Sequence, residues 1–186
     1  SPEGIRSAIE AILCSPRFVY FKETEDRLDD FAIASRLSYF LWNTMPDDTL
    51  LKDAAAGKLN DAKVLKSHVD RMLSDHRSEE FVKSFVWGWL KLDNTVEMAP
   101  DPMKFYDYYR NRLDEAMVKE TNLFFRYMLD ENLSLENFID SEMTFLNADL
   151  GRHYGLTGIV NTTAKYERVS LPPKHHRGGL LGQAAV

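Results

Sequence analysis

His175-His176-Arg177-Gly178-Gly179 is the densest run of chemically able side chains in the sequence. Two imidazoles and a guanidinium precede glycines whose amides can face an anion at the start of a helix. His175, His176 and Arg177 therefore form the candidate binding site, for an anion or a metal. Two histidines alone leave a metal short of ligands, and cationic loop clusters are commonly just solvated. His68, His76 and His153 stand at none of the metal-helix spacings such as His-Glu-x-x-His, so no metal centre is expected. His68 reads as an edge or surface residue of a helix and His76 as part of an interhelix turn. His153 reads as a last-turn residue whose imidazolium would suit the negative helix end.

Asp47 and Asp48 are adjacent carboxylates, but acid/base work needs two groups converging on one bond with their pKa values driven apart. They follow Pro46 and precede Leu50-Leu51, so helix capping accounts for them. Cys14 is the single cysteine. One cysteine excludes an intrachain disulfide, a Cys-rich zinc site and the paired cysteines that normally attach a c-type haem. Between Leu13 and Ser15 it reads as a small buried residue rather than a nucleophile. There is no phosphate loop, nucleophile elbow or dinucleotide fingerprint, so no catalytic residue is assigned and no cofactor is expected. Two charges break the apolar pattern of their helices. Arg36 lies three residues after Ile33 and four before Phe40, and Glu120 lies three after Met117 and four before Phe124. A charge near a core must be paired. We expect Arg36 and Glu120 to be mostly buried and to form a structural ion pair that ties the second helix to the longest one.

The elements that must position these residues read as helices. Pro2 opens the first, with a stripe of Ile5, Ile9, Ile12 and Leu13, and Ser15-Pro16 ends it. Phe18, Tyr20 and Phe21 make a short irregular segment. Asp29 or Asp30 caps a second helix carrying Ile33, Leu37, Phe40 and Leu41. Asp47-Asp48 starts a short helix that Gly57 closes, and Asn60 opens another through Met72. Ser78 caps a fifth, apolar on nearly every side after Ser84, so it should be central with Phe81, Phe85 and Trp87 in the core. Pro100 and Pro102 mark a loop, and the longest helix spans about residues 108–129. Ser134 begins a short turn, and Asn147 caps a helix ending at Tyr154. Beyond it the pattern fails except for a short strand over 166–170 and a helix over 178–186. Trp42, Trp87, Trp89, Phe124, Phe125 and Tyr127 fall at helical spacing and read as core before they read as a haem or quinone pocket. The fold class is all-α, a single multi-helix bundle-like domain with an irregular C-terminal arm.

Composition sets the frame. The chain has 186 residues, 44% of them hydrophobic and 28% charged, with a formal net charge of −6. That length suits one domain, and no apolar run approaches a membrane span. Residues 1–150 form an acidic helical body with a balance of −10, and residues 151–186 a basic arm with +4. The arm also holds six of the nine glycines. An acidic body makes nucleic acid an unsuitable partner. The arm is expected to lie against its own body, burying Leu171, Leu180 and Leu181.

The run from Leu28-Asp29-Asp30-Phe31 to Phe40-Leu41-Trp42, with Met45-Pro46-Asp47-Asp48, resembles a domain of unknown function from large cytochrome-associated proteins of planctomycetes and related bacteria. The likeness continues through Glu120-Thr121, Phe124-Phe125, Thr144-Phe145-Leu146-Asn147 and His153-Tyr154-Gly155, and ends in Arg177-Gly178-Gly179-Leu180-Leu181-Gly182-Gln183. Residues 1–22 resemble the end of a preceding domain, and the closing segment resembles a junction with a following one. His76 and Gly182 depart from the family pattern, which has proline and threonine there. The resemblance implies an exported, extracytoplasmic protein of the periplasm or cell envelope in an electron-transfer setting. Its partners would be neighbouring domains of the same longer chain, a cytochrome c domain among them. The family brings no assigned catalytic residues. The expected function is a non-catalytic helical scaffold or interaction module. The alternatives are an enzyme domain, redox or hydrolytic, using the His175-His176-Arg177 loop, or a haem- or quinone-binding helical bundle.

Overall fold

Asp29 shows how local chemistry starts the elements: in extended conformation it accepts the Ala32 amide at 2.7 Å and opens α3 (Asp30–Trp42). The computed structural model describes residues 2–20, 28–172, 175 and 177–186. It is mostly helical with one small two-stranded sheet, and it divides into two compact units, Ser1–Leu73 and Ser74–Val186.

In the first unit α1 (Pro2–Leu13) and α2 (Pro16–Val19) precede α3, followed by α4 (Asp48–Ala55) and α5 (Ala62–Leu73). Asp47 caps α4 by accepting the Leu50 amide at 3.0 Å, the capping role expected of it. The cap of α5 falls on Asp61, which accepts the Lys63 amide at 2.7 Å. Asn60, expected there, instead donates to Asp30, which also accepts the Leu59 amide at 2.6 Å. The core gathers Ala34, Leu41 and Trp42 of α3, Leu50 and Ala54 of α4, Leu59 and Met72. Trp42 Nε1 donates to the Met72 carbonyl at 2.9 Å, so burial leaves its polar atom paired. Two expectations are corrected here. His68 is buried rather than at an edge, because Asp53 lies 3.0 Å from its Nε2 and supplies a partner. Cys14 is exposed, as is the whole apolar stripe of α1.

The second unit is built around α9 (Leu113–Asp130). Before it come α6 (Glu79–Leu90), α7 (Asp93–Glu97) and α8 (Tyr106–Arg110); after it come β1 (Met143–Leu146), α10 (Ala148–His153) and β2 (Glu167–Ser170). Arg112 takes a left-handed conformation, φ 48°, and separates α8 from α9 where one continuous helix was expected. Ser78 precedes α6 without capping it. Its hydroxyl donates to the Asp75 carbonyl at 2.7 Å and accepts from Arg126 at 2.6 Å, while Asp75 caps the 3-10 turn His76–Ser78. β1 and β2 pair antiparallel with Met143 opposite Ser170 and Leu146 opposite Glu167. The strand expected at 166–170 is thus present, with a partner that sequence pattern did not show.

Residues 151–186 pack with residues 74–150. Leu156, Val160, Val169 and Ala185 join Val82, Val86, Leu92, Met117, Leu146 and Leu150 in one core. Two of the three arginines of residues 151–186 meet tyrosine faces: Arg168 lies 5.1 Å from the Tyr127 ring centre and Arg177 4.1 Å from that of Tyr154. Leu180 is buried, but Leu181 is 75% exposed, against expectation. The helix expected over 178–186 is reduced to the 3-10 turn Leu180–Gly182. Gly179, at φ 61°, abuts the Phe138 carbonyl and sets the chain off in another direction. The expectation for α6 is also corrected. It buries Val82 and Val86 against α9, but Phe85, Trp87 and Trp89 are 40%, 41% and 49% exposed. Phe85 meets Phe125 at a tilt and Trp89 meets Phe125 and Phe138 edge-on, so α6 lies at the surface of its unit with part of its aromatic surface exposed.

Candidate functional site

Glu120 is the charged residue that the second unit encloses most completely, with no exposed surface. It sits in the middle of α9, on the side that faces β1 and α10. The alternation of β1 turns Thr144 inward, and its hydroxyl donates to one carboxyl oxygen. Asn147 caps α10, which ends at Tyr154. The phenol of Tyr154 donates to the other carboxyl oxygen and accepts the Ala184 amide at 2.9 Å. Arg177 lies over the Tyr154 ring and donates to the Gly182 carbonyl at 3.0 Å, closing the arm on itself. Gly182 admits this arrangement, since a Cβ there would lie 3.0 Å from the Arg177 backbone. Gln183 completes the enclosure. It is 6% exposed, and both ends of its amide are buried without a hydrogen-bond partner. Glu120, Thr144, Tyr154, Arg177 and Gln183 line a small interior cavity of about 10 Å³.

Burial dominates the electrostatics. It pushes the Glu120 carboxyl up to about 7, against the opposing pull of the two hydroxyl donors and the Arg177 charge. The Tyr154 phenol is pushed up strongly by burial and by Glu120, so it stays a donor. Tyr166 is raised for the same two reasons. His153, expected as an imidazolium at a helix end, is held down by burial and by Arg177. A buried carboxyl of this kind can hold or release one proton near neutrality while joined to three elements.

The fold brings part of the expected site together and not the rest. His175 is half-buried and donates from Nε2 to the Tyr154 carbonyl at 3.3 Å, and Arg177 belongs to the Glu120 cluster. His176 lies outside the described residues. Glu120 is buried as expected and takes hydrogen bonds from Thr144 and Tyr154 within its own unit; Arg36, in the first unit, is exposed where burial was expected. A long arginine at a stripe edge reaches water, while the acid acquires hydroxyl donors that no helical spacing announces. Tyr154, Thr144 and Gln183 carry no signal of a site in residue type or spacing. They stand inside the short motifs that carry the family resemblance, which was the one available signal.

A second polar chain crosses the first unit. Arg71 donates to Asp47 at 2.7 and 3.2 Å, lies 5.4 Å from the Trp42 ring centre and 3.4 Å from His68 Nδ1. His68 in turn meets Asp53, whose carboxyl it holds below the ordinary range. This chain ties α4 to α5. Beside it, Ile33, Leu37, Phe40, Leu65 and Val69 line an open apolar groove of about 880 Å³. Among the described residues, no group of three or more His, Cys, Asp or Glu side chains is placed to hold a metal, and no helix is long and apolar enough to cross a membrane.

No curated protein and no solved structure matches the chain. A family model does, over residues 28–156, which takes in Glu120, Thr144 and Tyr154 and leaves Arg177 and Gln183 beyond its end. The match spans more than half of the sequence and includes the two helices, α3 and α9, whose motifs carried the resemblance. The chain belongs to the family described as protein of unknown function (DUF1592).

Proposed function

We propose that this chain is a non-catalytic helical scaffold or interaction module of a larger, exported, cytochrome-linked protein. The observation that carries it is the exposed aromatic surface of α6. Phe85 and Trp89, one turn apart, and Trp87 on the other side of the helix remain 40–49% exposed, and exposed aromatic surface marks interaction sites. The titratable clusters support the same reading, because each joins elements of its own unit. Arg177, the strongest member of the candidate anion or metal site, is engaged with Tyr154 and Gly182. Export and the cytochrome partner rest on the motif resemblance.

Tryptophan quenching tests it. Trp42 is buried, so it serves as an internal reference for Trp87 and Trp89. In the full-length gene product, acrylamide quenching of Trp87 and Trp89 should fall well below that of the isolated chain. The same product should show the visible bands of a c-type haem. Equal quenching in both proteins overturns the module reading, and a haem-free product overturns the cytochrome link.

A further inference from the structure

The end of the C-terminal arm, residues 177–186, is held by buried Leu180 and Ala185, by Thr95 on the Ala185 carbonyl, and by one interior polar cluster around Glu120. Tyr154 Oη accepts the Ala184 amide from the end of the arm and donates a hydrogen bond to Glu120, and Arg177 covers the Tyr154 ring. Leu171, Arg177, Gly179, Gly182 and Gln183 form the arm's side of the cavity, and Glu120, Thr144 and Tyr154 form the opposite side. Lifting the arm therefore opens Glu120 to water. We propose that the Glu120–Tyr154–Arg177 cluster is a proton-operated latch, which holds the arm shut while Glu120 is protonated and loosens when it ionises.

The geometry supplies the coupling. An enclosed carboxylate loses its hydration, and two hydroxyl donors and one guanidinium replace only part of it. A neutral carboxyl has no such cost but must donate its own proton. The Gln183 amide lies on the same cavity, both its ends buried without a hydrogen-bond partner. The groups facing Glu120 are few. β1 contributes Thr144, α10 contributes Tyr154, the segment before β2 contributes Tyr166, and the arm contributes Arg177. His153 faces Arg177, and His175 binds the Tyr154 carbonyl. From α6, Phe81 and Phe85 meet α9 at Phe125.

The sign follows from the two states of Glu120. Its carboxyl titrates at about 7 with the arm closed and at the ordinary 4.5 once exposed. Closure is therefore strongest below pH 4.5, weakens as pH rises toward 7, and is level above it. Opening should rise by up to about a hundredfold between pH 5 and 7, tenfold per unit.

Hydrogen exchange of the Ala184 amide reads this directly, because that amide is the bond the latch holds. In the full chain, its protection corrected for intrinsic exchange should fall from pH 5 to 7 and stay level from 7.5 to 8.5. In Glu120→Gln the protection should be constant across the range. A flat profile in the unmodified chain overturns the latch, and so does the same decline in the variant, which would assign the titration to a group other than Glu120. Should the variant fail to fold, a ¹³C-carboxyl titration of the unmodified chain decides. A glutamate midpoint near 7 that moves with Ala184 protection supports the latch, and a Glu120 midpoint below 5 overturns it.

Discussion

At the scale of single residues, position 179 shows how little room the arm leaves. A Cβ built on Gly179 would lie 2.5 Å from the Phe138 carbonyl oxygen, and the residue already has φ 61°. Both the left-handed backbone and the contact with main chain oppose any side chain. Gly179→Ala should therefore destabilise the second unit by about 2–4 kcal/mol in urea unfolding. A cost within 0.5 kcal/mol would show that Phe138 and its neighbours give way. Residues whose partners are near in sequence were legible. Asp29, Asp47 and Asn147 cap helices by reaching an amide three residues on, a spacing visible in the sequence. Glu120, His68 and Arg36 were not. The donors to Glu120 lie 24 and 34 residues away, and the carboxylate that draws His68 inward lies 15 away.

At the scale of elements, helix ends show where local signal and tertiary demand part. Lys91 closes α6 in the left-handed conformation, φ 54°, its amide donating to the Trp87 carbonyl. That position favours glycine. Lys91→Gly should stabilise the unit by about 0.5–1 kcal/mol, seen as a raised midpoint of thermal unfolding. A lowered midpoint would show that the lysine side chain contributes more than its backbone costs. The helices themselves were legible because their apolar stripes repeat, and β2 because its short run stands between loops. The break at Arg112 was not, since Leu113, Ala116 and Met117 continue the stripe without a gap in apolar pattern. Nor was the surface position of α6. An all-round apolar helix reads as enclosed, yet only Val82 and Val86 are buried. Helix periodicity says which residues avoid water and not whether one chain alone provides the cover.

At the scale of the whole molecule, the compact units divide after Leu73, while composition changes near Gly151. Charge marks the arm as chemically different, but packing places it with residues 74–150, where its leucines, valines and alanine complete a core. The groups that bond or face Glu120, namely Thr144, Tyr154 and Arg177, lie between residues 144 and 177. The segment 74–186 should thus fold by itself, with a cooperative thermal transition and dispersed amide resonances that include a protected Ala184. A segment that shows helical content but no cooperative transition would mean that its core needs residues 1–73. Soluble behaviour of either piece is favoured by the acidic balance of the chain.

Thr95 donates to the Ala185 carbonyl at 2.8 Å across 90 residues of chain. A loop of that length costs about 4 kcal/mol of chain entropy to close, so this contact cannot nucleate the unit and must be added to one already formed. The order of synthesis agrees, because α9 leaves the ribosome well before Tyr154 and far ahead of the last residues. Glu120 therefore meets water first, as an ordinary ionised side chain. Folding of the second unit should then end with the step that withdraws Glu120 from solvent, and between about pH 4.5 and 7 that step takes up a proton.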